Sequence, residues 1–122
     1  MRKYTVSSLT AELETLLEDR YPAILVEGEV GTLSVPSSGH AYLTLRDRGQ
    51  GGYGSRGATL GGVAWRNTWR ALRYRPEIGD RVVCRGRLGV YGPRGTYQLY
   101  VTDIQRAGKG GLAQDLAQRI AW

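Results

Sequence analysis

The clearest pattern in the chain is an alternation of apolar and polar positions over residues 80–91. The even positions carry four apolar side chains and one glycine, which are Val82, Cys84, Gly86, Leu88 and Val90. The odd positions include Arg81, Arg85 and Arg87. Because side chains of a β-strand point alternately to its two faces, this spacing predicts a strand that buries its even positions and gathers the arginines on a solvent face.

Four other segments are typical of strands, and residues that favour turns separate them. These segments are residues 23–35, 41–47, 58–65 and 96–104. The second segment alternates clearly, with Ala41, Leu43 and Leu45 on one face and Tyr42, Thr44 and Arg46 on the other. The third contains two adjacent glycines at positions 61 and 62, so we expect it to be bulged or weak there.

Residues 6–20 have the spacing of an amphipathic helix. Its apolar positions follow i, i+4, i+7 and i+8 and are Leu9, Leu13, Leu16 and Leu17. We expect Ser7 or Ser8 to cap the helix, without a capping box, and Pro22 to prevent its continuation. A second, short helix is expected within residues 66–74. Residues 112–122 also favour a helix, with an apolar stripe of Leu112, Leu116 and Ile120.

Five strands with a helix between the third and the fourth are the arrangement of an OB-fold barrel. The expected fold class is therefore mainly β: a five-stranded OB-fold barrel with an N-terminal helix, a short helix between strands 3 and 4, and a C-terminal helical stretch. We divide the chain into a helix (1–22), a barrel (23–107) and the start of a linker or helix (108–122). An SH3-like barrel or an α+β meander would produce a similar pattern.

Charge favours a polyanionic partner. The chain of 122 residues holds 17 Lys+Arg against 11 Asp+Glu, a formal net charge of +6, and only Lys3 and Lys109 are lysines. Arginine pairs with phosphate through a planar fork and stacks on bases, which is typical of nucleic-acid binding. A genome rich in G and C also enriches arginine and glycine, so charge alone does not decide the function.

Other classes of protein are disfavoured by composition. The chain has no apolar run of about 20 residues, as a membrane span needs, and no apolar region follows the basic N-terminus, as a secretory signal needs. We therefore expect no membrane partner and a cytoplasmic location. Cys84 is the one cysteine, so it cannot form an internal disulfide, and its apolar strand predicts a small buried side chain.

Several motifs resemble the N-terminal domain of the exonuclease VII large subunit. They are Leu-Val-Glu-Gly-Glu-Val at 25–30, Pro-Ser-Ser-Gly-His-Ala-Tyr-Leu-Thr-Leu-Arg-Asp at 36–47, Val-Ala-Trp-Arg at 63–66, Leu-Arg-Tyr-Arg-Pro-Glu-Ile-Gly at 72–79 and Tyr-Gly-Pro-Arg-Gly-Thr-Tyr-Gln-Leu at 91–99. The likeness covers nearly the whole chain. It departs from the family at Gly31-Thr32, where a Ser-Asn pair is usual, in the long loop 48–57, and at Gly61-Gly62.

The resemblance implies an OB-fold domain that binds single-stranded DNA and positions it for a catalytic domain elsewhere in the large subunit. In that family the complete enzyme degrades single strands from both ends without added divalent metal, and a helical region recruits the small subunit. The expected partners are therefore single-stranded DNA and, in a full-length protein, the small subunit. No cofactor, metal site or catalytic residue is expected in this segment, which is either part of a longer protein or a free-standing short relative.

The binding face of an OB-fold comprises strands 2 and 3 with the 1–2 and 4–5 loops. Adding the arginine face of strand 4, the candidate nucleic-acid-binding residues are Ser37, Ser38, His40, Tyr42, Arg46, Trp65, Arg66, Arg85, Arg87 and Arg94. Among these we expect His40 to fix its turn by hydrogen bonds. Trp69 and Tyr74 are expected to plug one end of the barrel, and Tyr97 to point inward with Leu99.

Two other classes of function remain alternatives. The barrel is an assembly module if the stripe in residues 112–122 mediates self-association or another contact. It is itself a nuclease if Glu27, Glu29 and Asp47 converge on a metal ion, although Asp47 need not face the glutamates.

Overall fold

Five strands close into one barrel in the computed structural model, which describes residues 1–47, 57–91 and 95–107. The strands are β1 (Ile24–Ser34), β2 (Ala41–Arg46), β3 (Thr59–Ala64), β4 (Arg81–Tyr91) and β5 (Thr96–Arg106). The helices are α1 (Val6–Arg20), before the barrel, and α2 (Arg66–Ala71), between β3 and β4. The strand order is β1-β2-β3-β5-β4, closed by β1 against β4. This confirms the fold class, whereas the predicted C-terminal helical stretch lies outside the described residues.

The core consists of the inward positions that the alternation predicts. In β2, Ala41, Leu43 and Leu45 are buried and Tyr42 is exposed. In β4, Val82 and Cys84 are fully buried. Burial, with a smaller contribution from the Asp103 carboxylate, raises the pKa of the Cys84 thiol to about 12, so the thiol stays protonated at neutral pH and acts as a small apolar side chain.

The outer face of β4 is less uniform than its sequence predicts. Val83 shares that face with the arginines and is nevertheless buried. Arg81 donates a hydrogen bond of 2.7 Å to Glu27 on the neighbouring β1 strand, with which it forms an ion pair. The three arginines of β4 therefore do not form one free cationic surface.

The barrel closes where β3 meets β5 in parallel, at the Cα partners Gly62–Leu99 and Val63–Tyr100. A Cβ on Gly62 would stand 3.4 Å from the Leu99 carbonyl oxygen, an ordinary van der Waals contact. The expected bulge in β3 is wrong, because its pairing with β2 runs without a shift from Ala41–Ala64 to Arg46–Thr59. The register shifts instead in β4–β5 and between Val30 and Thr32 of β1.

The helix α1 has the expected bounds, but its N-cap lies two or three residues before the expected Ser7 or Ser8. Thr5 is the N-cap, its side chain accepts from the Ser8 backbone N–H at 3.0 Å, and the Ser8 side chain accepts from the Thr5 N–H at 2.9 Å. This capping box uses serine where glutamate or glutamine is usual, which explains why the sequence pattern missed it. None of the residues of α1 is buried. No helix in the described part of the chain is both long enough and apolar enough to span a bilayer.

Trp69 and Tyr74 pack against the core, whereas Tyr97 is not buried as expected. Trp69 and Tyr74 pack against the core cluster, and Leu72 belongs to it. Tyr97 was expected to point inward with the buried Leu99 but is 61% exposed. It lines an apolar recess of about 260 Å³, with Ile24, Val26, Leu45, Leu60 and Leu88 among the lining residues.

Tyr74 and Asp80 form a polar clamp beside the core. The Tyr74 hydroxyl donates to the Asp80 carboxylate, which also accepts from the Glu77 N–H at 2.9 Å. Burial and the bond to Asp80 raise the pKa of Tyr74 to about 12. The bonds from Tyr74 and from Glu77 lower the pKa of Asp80.

We expect the clamp to make stability depend on pH at both extremes. Because the pKa of Tyr74 is raised on folding, its contribution to stability is complete below about pH 10 and is lost as pH rises towards 12. Because the pKa of Asp80 is lowered on folding, its contribution is present above the usual titration range of aspartate and is lost in acid. Tyr74→Phe should lower the free energy of unfolding by about 1 kcal/mol at pH 7. Urea unfolding measures that loss, and a tyrosinate absorbance titration should lack the group that titrates at about pH 12. An unchanged titration would contradict the clamp.

Candidate nucleic-acid interface

A row of aligned positions crosses the outer face of the barrel. The Cα partners run from Tyr42 to Val63, from Val63 to Tyr100, and from Tyr100 to Arg87, so the row passes over β2, β3, β5 and β4. Residues that are partners in register lie on the same face of the sheet. The residues of the core cluster occupy the alternate positions of these strands and so point the other way. Tyr42 is 44% exposed, and Val63 beside it is buried.

Flat side chains stack along this row and beyond the end of β3. The Arg87 guanidinium carbon lies 4.4 Å from the centroid of the Tyr100 ring, in cation–π contact. The Tyr100 and Trp65 rings are 5.8 Å apart between centroids and tilted by 31°, and the Trp65 and His40 rings are 5.1 Å apart edge to face. We call these four residues the aromatic ridge. Trp65 is 44% exposed, so its indole is both held by neighbours and open to solvent.

A glycine positions the centre of the aromatic ridge. A Cβ on Gly89 would stand 2.5 Å from Cε2 of Tyr100 and 3.3 Å from Nη1 of Arg87. The tyrosine ring therefore lies directly over the backbone of β4, in a space that any other residue at position 89 would occupy. This packing holds the ring against the barrel surface, and Arg87 contacts it there.

The turn between β1 and β2 is fastened to the start of α2. The Arg66 backbone N–H donates to Nδ1 of His40 at 2.9 Å, and Arg66 Nη1 donates to the Ser38 carbonyl oxygen at 3.3 Å. Gly39 has φ +88°, and a Cβ there would stand 3.0 Å from Cγ and Cδ of Arg66. His40 thus fixes the turn by hydrogen bonding, as expected from the sequence. Because Nδ1 accepts, the proton of the neutral ring is on Nε2.

The candidate residues from the sequence fall into two groups. His40, Trp65 and Arg87 belong to the aromatic ridge. Arg66 is joined to it by the hydrogen bond to His40, and Ser38 is bonded to Arg66. Tyr42 lies two residues after His40 and two strands from Tyr100 on the same row. Ser37 is exposed in the adjoining turn.

Of the three remaining candidates, the structure describes Arg46 and Arg85. Arg46 is four positions beyond Tyr42, about 13 Å along β2, and pairs with Glu29 at 3.3 Å. Arg85 is the Cα partner of Asp103, lies two positions from Arg87 and lines the same recess as Arg87. Arg94 lies outside the described residues.

Sequence reasoning missed Tyr100, although a usable signal was present. Leu99 and Val101 are apolar core positions, so strict alternation in β5 places Tyr100 on the outer face. That argument predicts an exposed tyrosine but not its neighbours, because contact with Trp65 depends on the parallel pairing of β3 and β5.

Two of the three carboxylates proposed for an intrinsic nuclease site have other partners. Glu27 pairs with Arg81 and Glu29 pairs with Arg46, so each charge is balanced by arginine rather than turned towards the other. Within residues 1–47, 57–91 and 95–107, no group of three His, Cys, Asp or Glu side chains has the geometry to hold a metal ion.

Comparison with known proteins identifies the family and then a group of similar proteins. The chain matches the OB-fold nucleic acid binding domain family over residues 4–105 and belongs to that family. It is 40% identical over 120 residues to the exodeoxyribonuclease 7 large subunit of Thioalkalivibrio sulfidiphilus (strain HL-EbGR7), covering 96% of this chain and 25% of that protein. The resemblance inferred from the motifs is confirmed. This chain spans about a quarter of the length of that relative.

Solved structures with low sequence identity share the fold. The Stn1–Ten1 complex of S. pombe contains a chain with a TM-score of 0.57 and 16% identity, over 80% of this chain and 68% of that one. The dimeric N-terminal domain of PriB from Thermoanaerobacter tencongensis has a TM-score of 0.50 and 17% identity, over 71% of this chain and 97% of that one. At these identities the likeness supports the fold and nothing further.

Proposed function

We propose that the chain binds single-stranded DNA on its aromatic ridge and, as part of an exonuclease VII large subunit, positions the strand for a catalytic domain elsewhere in that protein. The observation that carries the proposal is the half-exposed Trp65 indole, held between His40 and Tyr100. Family membership and the 40% identity to an exodeoxyribonuclease 7 large subunit support it.

The aromatic ridge has the two components that a single-strand binder needs. Exposed rings offer surfaces on which unpaired bases stack, and arginine neutralises the backbone. Trp65 provides the exposed ring of the ridge, Tyr42 provides a second exposed ring on the same barrel face, and the Arg87 guanidinium provides a charge against Tyr100. A duplex keeps its base faces inside the stack, so the same surface favours single strands over double strands.

Binding is tested by titrating a labelled oligonucleotide and following its fluorescence anisotropy at several salt concentrations. The logarithm of the association constant should fall linearly with the logarithm of salt, with a slope of about −0.7 for each phosphate contact. An unlabelled duplex of equal length should compete less well than an unlabelled single strand. Absence of binding at low salt, or binding that salt does not weaken, would refute the proposal.

The wider assembly follows from the family relationship and is also a proposal. In a full-length large subunit the partner would be the exonuclease VII small subunit, in the cytoplasm. Self-association through residues 112–122 is the alternative, and those residues lie outside the described part of the chain. Sedimentation equilibrium over a range of concentrations distinguishes a monomer from such an assembly.

A further inference from the structure

One segment of the chain contains basic residues and no acidic residue. From residue 48 to residue 76 there is no aspartate or glutamate, and the arginines are Arg48, Arg56, Arg66, Arg70, Arg73 and Arg75. The last four belong to α2 or the turns after it, and we call them the α2 track. The other helix, α1, has four acidic residues, namely Glu12, Glu14, Glu18 and Asp19. The two helices therefore differ in the sign of their charge.

The α2 track begins at the aromatic ridge. Arg66 follows Trp65 directly and donates to His40, so the track and the ridge share a junction. Arg70 lies four residues later, on the same helix face as Arg66 and about 6 Å further along the axis. That distance is comparable with the separation of successive phosphates in an extended strand. Trp69, on another face of α2, packs against the core and holds the helix to the barrel.

The far end of the α2 track is also held in place. Arg75 donates from Nε to the Trp69 carbonyl oxygen at 3.2 Å and from Nη2 to the Arg70 carbonyl oxygen at 3.0 Å. These bonds keep a guanidinium at the C-terminal end of α2, where cations are favoured. Arg73, which lies between Arg70 and Arg75 in the sequence, is exposed.

The charges of the α2 track are available to an external anion. Among the described residues, none of its four arginines forms an ion pair with a carboxylate, in contrast to Arg46 and Arg81. All four are exposed. A carboxylate within this segment could pair with the arginines and neutralise them. The segment contains none, and the first acidic residue after the track is Glu77.

We propose that the α2 track binds the phosphates of the strand as it leaves the aromatic ridge, extending the interface beyond β2, β3 and their loops. The inference rests on the proposed function. It defines Arg70 and Arg73 as backbone-binding residues that recognise phosphate rather than base, and it predicts a footprint longer than the ridge alone would give.

The test compares oligonucleotides of two lengths with the double variant Arg70→Ala/Arg73→Ala. A strand of about 4 nucleotides can occupy the ridge alone, and one of about 12 can reach both surfaces. For the longer strand the variant should bind on the order of tenfold more weakly at low salt, with a salt slope smaller by about 1.4. For the shorter strand both quantities should be unchanged. The variant keeps the Arg66 contacts and the Arg75 guanidinium bonds.

The matched control is Lys3→Ala/Arg20→Ala, which removes the same charge from exposed positions before and within α1. A loss for the longer strand that the control does not share supports the proposal. Equal affinities of variant and parent for both lengths would overturn the α2 track and leave the ridge standing. An equal loss in variant and control would also overturn it, as an effect of net charge. If the parent chain binds neither length, the proposed function fails and this inference fails with it.

Discussion

Replacing Gly86 with alanine is expected to lower the free energy of unfolding by about 3 kcal/mol, at the upper end of the usual cost of overpacking. Gly86 is buried in β4, and an added Cβ would stand 2.3 Å from the carbonyl oxygen of Tyr100 and 3.2 Å from Cδ1 of Leu99. The first of these atoms belongs to the backbone of β5, so a side-chain rotation cannot relieve the collision.

The collision falls where β4 and β5 change register. Arg85 is the partner of Asp103, but Gly86 is the partner of Val101, so Thr102 is an extra residue on β5. The Thr102 hydroxyl donates to the Arg85 carbonyl oxygen at 3.1 Å. Such a bulge bends its strand and increases the local twist. Separating the strands at this point would disturb pairing on both sides of it.

Gly61→Ala is the matched control, because a Cβ at that position of β3 has no atom within 4 Å. We expect it to be neutral or to stabilise by up to about 1 kcal/mol, since alanine restricts the unfolded chain. Urea unfolding at neutral pH measures both variants. Equal midpoints for Gly86→Ala and the parent chain would show that β5 moves aside at little cost, contrary to the prediction.

The elements were predictable because each depends on short-range patterns. Alternation in β2 identified its buried face, and turn residues such as Pro36 and Gly39 marked where strands end. The pairing of the strands with one another was harder to predict from the sequence. The parallel contact of β3 with β5 joins Val63 to Tyr100 across the sequence, and no local pattern encodes it.

The arginines show the same limit at the candidate site. Alternation put Arg81, Arg85 and Arg87 on one face of a strand, which is correct as a statement about direction. It could not distinguish Arg81, which neutralises Glu27, from Arg87, which stacks on Tyr100. That difference depends on the side chains of neighbouring strands, and these are known only when the register is known.

Trp65→Ala is expected to weaken binding of single-stranded DNA by about 5- to 150-fold, which corresponds to the 1–3 kcal/mol of one stacked base. The indole is the exposed ring of the aromatic ridge, and its removal also takes away the ring against which Tyr100 and His40 pack. The fold should persist, because the main-chain bond from the Trp69 N–H to the Trp65 carbonyl oxygen does not depend on the side chain.

Tyr21→Ala removes a comparable exposed ring from the end of α1, and its carbonyl oxygen still accepts from the Leu88 N–H, so it serves as the control. Anisotropy titration should then show a loss for Trp65→Ala alone. A second readout uses tryptophan fluorescence, because a base stacked on Trp65 should quench it, whereas Trp69 is packed against the core. Trp65→Phe should retain part of the affinity while losing most of the quenching. Parental affinity in Trp65→Ala would mean that strands bind elsewhere on the barrel, and the stacking role of the ridge would then be wrong.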